Sequence, residues 1–113
     1  MAQNAVLGQF EQLILTAVLT LEEDAYGITI HRKVGELSSH RSVTLGAVYV
    51  TLDRLEDKGL VSSWLSDPTP ERGGRSKRFY RLESPGEAAL RDSMLAVQRL
   101  WDALPSKRRK AWI

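Results

Sequence analysis

The chain predicts a mainly α-helical fold with one small antiparallel β-hairpin, and three observations predict it. Apolar residues recur at helical spacing in four separate stretches. The run from Leu60 to Leu65 and the run KRFYRL are short and β-forming, and the loop PTPERGGRS between them carries prolines, two glycines and basic residues. The helix directly before this hairpin, LGAVYVTLDRLEDKG, enters on a capping threonine and leaves on Lys58 and Gly59. A helix beside a two-stranded ribbon with arginines at its tip is the arrangement of a winged helix-turn-helix. DNA offers such a domain a major groove for the helix and phosphates or a minor groove for the arm.

Taken in order, the first helix spans about Gly8 to Leu21, with Phe10, Leu13, Ile14, Ala17, Val18 and Leu21 as a broad apolar stripe. The acidic turn from Glu22 to Asp24 ends it. A second helix runs from about Tyr26 to Leu37, with Tyr26, Ile30, Val34 and Leu37 on one side. Ser38 to Val43 is a polar connector, and Thr44 is placed to cap the third helix. Leu45, Val48, Leu52 and Leu55 then share one face. On the second wing strand, Tyr80 and Leu82 alternate toward the core; the side taken by Trp64 is open. Ser84, Pro85, Gly86 and Glu87 read as N-cap, N1, N2 and N3 of the last helix, a capping box with proline at its favoured place. Leu90, Met94, Val97, Trp101 and Leu104 follow as an a/d seam that Pro105 stops. So narrow a seam suits pairing with a partner helix better than packing on a core. The expected organisation is residues 1–84 as the DNA-binding domain with its N-terminal helix, 85–104 as a C-terminal dimerisation helix and 105–113 as a basic tail.

Composition narrows the function. A chain of 113 residues fits one small core, for which dimerisation is a natural supplement. There is no cysteine, hence no disulfide and no Cys-based zinc site, which suits a cytoplasmic protein. Leu13 to Leu21 is apolar but short, lacks a basic leader and runs into three acids, so it reads as neither signal peptide nor membrane span. The net charge is +2, yet Lys107, Arg108, Arg109 and Lys110 supply four positive charges, and the remainder sums to −2. The basic character of the body is local: Arg72, Arg75, Lys77, Arg78 and Arg81 follow one another with no acid among them. Such a patch is a solvated hairpin tip or, after a recognition-type helix, a nucleic-acid contact. Enzymatic readings find no support. GGRSK lacks the spacing of a phosphate loop, no nucleophile elbow is present, and His31 and His40 have no clustered carboxylate pair. No catalytic residue, metal or cofactor is expected.

The chain resembles a short member of the PadR family of transcriptional regulators. The matching segments are FEQLILTAVL, AYGITI, LGAVYVTLDRLEDKGLV and GGRSKRFYRLESPGEAAL, with Gly46, Tyr49, Leu52, Leu55 and Gly59 the more specific pattern. The resemblance covers about Leu7 to Leu104. It departs at Val50, where the family usually has proline after the tyrosine. The resemblance implies a winged-helix repressor that binds a palindromic operator as a homodimer held mainly by the C-terminal helix. In some short members a pocket between subunits binds aromatic ligands, so a small aromatic effector is a candidate partner.

The site residues follow from position. Thr44, Ala47 and Val50 lie toward the outward N-terminal part of the third helix, where bases are reached, and the last two suit a thymine methyl. Tyr49 lies at the edge of the buried stripe, either packing there or reaching a phosphate with its hydroxyl. Arg54 contacts the DNA backbone or pairs with Asp53 or Asp57. Ser42, with His40 and Arg41, grips phosphate or is a solvated turn. Arg72, Arg75 and Lys77 are the wing contacts, Arg75 foremost. His31, Arg32 and Lys33 read as a solvent face. Leu90, Met94, Val97, Trp101 and Leu104 form the expected dimer interface, and Trp101 is also the candidate ligand wall. The alternative is a winged helix used as a protein-interaction module, without sequence-specific DNA binding.

Overall fold

The computed structural model describes residues 6–38, 42–67 and 76–113. Over these residues the order is α1 (Gln9–Leu21), a 3-10 turn (Glu22–Asp24), α2 (Gly27–Leu37), α3 (Leu45–Asp57), β1 (Val61–Leu65), β2 (Arg78–Leu82), α4 (Ser84–Ala103) and α5 (Ser106–Trp112). The core lies among the first three helices, where Ile14, Leu15, Val18, Ile30, Val34, Val48, Leu52 and Leu55 are buried, and Tyr80 of β2 and Leu90 of α4 close it. Most of the apolar stripe of α1, α2 and α3 faces this core, but Leu37, expected on the inner side of α2, is 45% exposed, and Leu15, outside the expected stripe of α1, is fully buried.

The exits and entries are set by specific hydrogen bonds. At the end of α3 the Leu60 N–H donates to the Leu55 carbonyl (3.0 Å) and the Gly59 N–H to Glu56 (2.9 Å), with Gly59 at φ 76°. This is a Schellman exit, and glycine supplies the left-handed residue it needs. The hairpin pairs Val61 with Leu82 through Leu65 with Arg78. Tyr80 is buried and Leu82 packs on the core as alternation requires, which leaves Trp64 exposed on the other face. The Tyr80 N–H donates to the Ala25 carbonyl (2.9 Å), and a bridge joins Tyr26 to Phe79. The wing is thereby pinned to the segment ahead of α2.

The capping box expected on Ser84 does not form. Glu83 is the N-cap, and α4 starts at Ser84 without a side-chain cap. The junction is fixed by packing instead. The Glu83 N–H donates to the Leu60 carbonyl (2.9 Å), and a Cβ on Gly86 would overlap that same carbonyl oxygen. The Glu83 carboxylate accepts from the Ser62 hydroxyl and lies 3.5 Å from Arg81.

Leu90 is a core residue of its own chain, 6% exposed, which removes it from the expected seam. The first turns of α4 pack against α1 and β2. No residue of α4 beyond Leu90 is buried. The radius of gyration is 16.5 Å, against about 13 Å for a compact domain of this length. The basic segment beyond Pro105 is helical, as α5. There the Trp112 ring lies 6.5 Å from Trp101, and Arg109 Nε donates to the Leu104 carbonyl (3.2 Å).

Candidate nucleic-acid interface

The start of α3 is held from two directions. Thr44 Oγ1 accepts from the Ala47 N–H (3.0 Å), which supplies the expected cap. His31 Nε2 lies 2.6 Å from the Val43 carbonyl. A carbonyl only accepts, so that nitrogen carries the proton. His31 is thus half-buried and anchors the connector, a correction to its reading as solvent face; Arg32 is exposed, and Lys33 pairs with Glu36 at 3.0 Å.

From this fixed start, Ala47, Val50 and Arg54 form one exposed stripe along α3, with Ser42 and Thr44 exposed at its approach. Asp53 is exposed as well, and Arg54 makes no ion pair with a described residue. Tyr49 lies on the opposite flank, 39% exposed, with its hydroxyl against Gly27 in the first turn of α2. A Cβ on Gly27 would overlap that hydroxyl, so glycine is what lets α2 and α3 approach here. Lys77 Nζ sits 4.4 Å over the ring of Tyr26, the N-cap of α2. Tyr49 and Lys77 therefore flank a helix N-terminus, whose free N–H groups favour negative charge.

The wing is tied to α3. The Ser63 hydroxyl donates to the Glu56 carboxylate (2.8 Å), and Arg78 donates to Ser63 (2.9 Å). Toward the tip, the Ser66 N–H donates to the Lys77 carbonyl (2.8 Å) and the Lys77 N–H to Ser66 Oγ (2.9 Å). Arg72 and Arg75, like His40 and Arg41, lie outside the described residues. On the solvent face of the hairpin, Trp64 stacks on Phe79 at 6.1 Å, Phe79 meets Tyr26 at 5.3 Å, and Arg81 lies 5.6 Å over Trp64. The sequence carries no motif for this cluster; the ladder register and the Tyr26–Phe79 bridge bring its members together.

Beside the α3 stripe is a shallow recess of about 290 Å³ lined by Phe10, Ser42, Val43, Thr44, Ala47, Val50 and Thr51. Phe10 and Thr51 were not visible as site residues in the sequence, because both fall on or beside core-facing stripes. Of the expected interface residues, Met94 and Val97 are 44% and 53% exposed, with Leu100 beside them at 70%. Trp101 and Leu104 are half-buried beside α5.

Among the described residues, two carboxyls have shifted pKa values. Burial pushes Glu11 up, but the hydrogen bonds from Lys58 and the Gly8 N–H outweigh it, leaving the group below its ordinary 4.5. The Ser62 hydrogen bond, with Arg81 adding to it, holds Glu83 below 4.5. Both belong to structural contacts rather than to a reactive centre. Among the described residues no cluster of His, Asp or Glu could hold a metal ion, and no helix is long and apolar enough to cross a membrane.

The profile of the Transcriptional regulator PadR-like family matches residues 14–92. A PadR family transcription regulator from Clostridium difficile R20291 superposes with a TM-score of 0.68 at 25% identity, covering 82% of this chain and 91% of that one. A PadR-like transcriptional regulator from Bacillus cereus gives 0.64 at 21% identity, covering 80% and 82%. Bacillus subtilis PadR, in complex with operator DNA, gives 0.63 at 22% identity, covering 75% and 46%. No curated protein matches the chain by sequence.

Proposed function

The chain belongs to the PadR-like family of transcriptional regulators, and on that footing we propose that it is a cytoplasmic, homodimeric repressor of an inverted-repeat operator. The observation that carries the reading is a capped, outward-facing α3 tied to its wing through Glu56, Ser63 and Arg78. In this reading Thr44, Ala47 and Val50 face base edges in the major groove. Ser42, Tyr49, Arg54 and Lys77 hold phosphates, which fixes register without carrying sequence information. Arg72 and Arg75 extend the same role toward the wing tip. The similar Bacillus subtilis PadR, bound to operator DNA, supports the assignment.

The dimer rests on Met94, Val97, Trp101 and Leu104, with Leu100 at the flank. Support comes from the exposure of Met94, Val97 and Leu100 on a helix that leaves the body of the domain; Trp101 and Leu104 are half-buried beside α5. Trp101 is also the wall offered to a planar aromatic effector, with Trp112 beside it. Such a compound would release DNA only through unequal affinity for two dimer shapes. A Trp101→Phe variant that responds to aromatic compounds as the wild type does would remove this role.

The DNA assignment is tested by fluorescence anisotropy of a labelled duplex across a salt series. Phosphate contacts release counterions, so log affinity should fall linearly with log salt. A protein-interaction module, for which the stack of exposed Trp64 on half-buried Phe79 speaks, would give weak binding without a sequence preference.

A further inference from the structure

We propose that the recess between α1 and α3 reads a thymine, with Phe10 of α1 joining α3 as a specificity-determining residue. The inference rests on the DNA-binding reading above and adds which base the site prefers. The recess shares Ala47 and Val50 with the exposed stripe of α3, so it opens beside the surface turned to the base edges. Its walls are Phe10, Val43, Ala47 and Val50, and among the described residues no charged side chain lines it. Exposed Ser42 and Thr44 bring hydroxyls to the rim.

The chemistry of the four bases then discriminates. In the major groove guanine shows two acceptors, adenine an acceptor and an amino donor, and cytosine an amino donor. Guanine is read best by Arg or Lys and adenine by Asn or Gln, and the described residues that line the recess include none of these. Thymine alone shows a methyl group beside an acceptor oxygen. The apolar walls receive the methyl. Thr44 Oγ1 accepts from the Ala47 N–H through a lone pair, so its hydroxyl proton stays free to be donated to an acceptor. Phe10 matters because it supplies the wall that α3 cannot reach with its own short side chains.

The test uses the full chain and a duplex recovered by selection from random DNA. Each thymine of the half-site is replaced in turn by deoxyuridine, which removes the methyl and nothing else. One position per half-site should weaken binding by roughly fourfold, and both together by roughly fifteenfold, the worth of one buried methyl at each. Val50→Ala, at an exposed position, should reduce that penalty to less than twofold, as should Phe10→Leu, which keeps the residue apolar. Thermal melts of both variants monitor folding. A selected half-site without thymine, or deoxyuridine tolerated at every position while the inverted repeat is still bound, overturns the thymine assignment and leaves DNA binding standing. A penalty unchanged in both variants overturns the assignment to this recess. A chain that selects no duplex overturns both.

Discussion

Truncating Met94 to alanine should dissociate the dimer by an amount that follows from its exposure. Burying a whole methionine, valine or leucine side chain is worth about 1.5–3 kcal/mol. Met94 is 44% exposed in the single chain, so about 1 kcal/mol per helix remains to be gained on pairing. A two-fold dimer loses that amount twice. The resulting ~2 kcal/mol raises the dimer Kd about thirtyfold. Met94→Glu should do more, because two carboxylates would then enter an apolar seam without partners. Sedimentation velocity across a concentration series reads the Kd, and anisotropy on the same samples reads operator binding, which should fall with the dimer. Leu90→Ala is the contrasting variant. Leu90 is buried in its own core, so its truncation should cost about 2–5 kcal/mol of folding stability. A wild-type monomer at micromolar concentration, or a Met94→Ala dimer of unchanged Kd, would refute the reasoning.

Gly86→Ala should cost about 1–3 kcal/mol in a thermal melt, because its Cβ meets the Leu60 carbonyl oxygen, a backbone atom that cannot swing away. Gly35→Ala, with open space around it inside α2, should instead stabilise by about 0.5–1 kcal/mol. The depressed pKa of Glu11 contributes stability that is complete above the ordinary 4.5 and is lost as pH falls through the lower folded value. Lys58→Met should therefore shrink the acid-induced drop in Tm, and an unaltered acid limb would exclude the Glu11–Lys58 pair as its source. Lys77→Ala should reduce the salt slope of DNA binding by about one unit per lost contact, twice over in a dimer, without changing which base is preferred.

Much of the fold was legible because it rests on local rules. The stripes of α1, α2 and α3 needed little more than spacing, apart from Leu37, which α2 leaves exposed; Thr44 needed only its hydroxyl, and Gly59 needed only the left-handed exit it provides. The misreadings have tertiary causes. Ser84 carries the residues of a capping box, but the Leu60 carbonyl accepts from the Glu83 N–H with Gly86 packed close against it, and the helix starts one residue earlier. Leu90 repeats in phase with Met94 and Val97, yet the first turns of α4 spend it on the core. His31 sits in a run of basic residues, and only the approach of the connector makes it a donor to Val43. The candidate site divides in the same way. Ser42, Thr44, Ala47 and Val50 follow from helix geometry, whereas Phe10 reaches them only once α1 is packed across α3.

Selection of bound fragments from random duplex DNA tests the central claim most directly, since it reads base preference, symmetry and spacing together. The selection should recover an inverted repeat whose half-sites lie about one helical turn apart, bound with an affinity that falls steeply with salt. Recovered fragments without a common sequence, or a single unrepeated motif bound by a monomer, would contradict that claim.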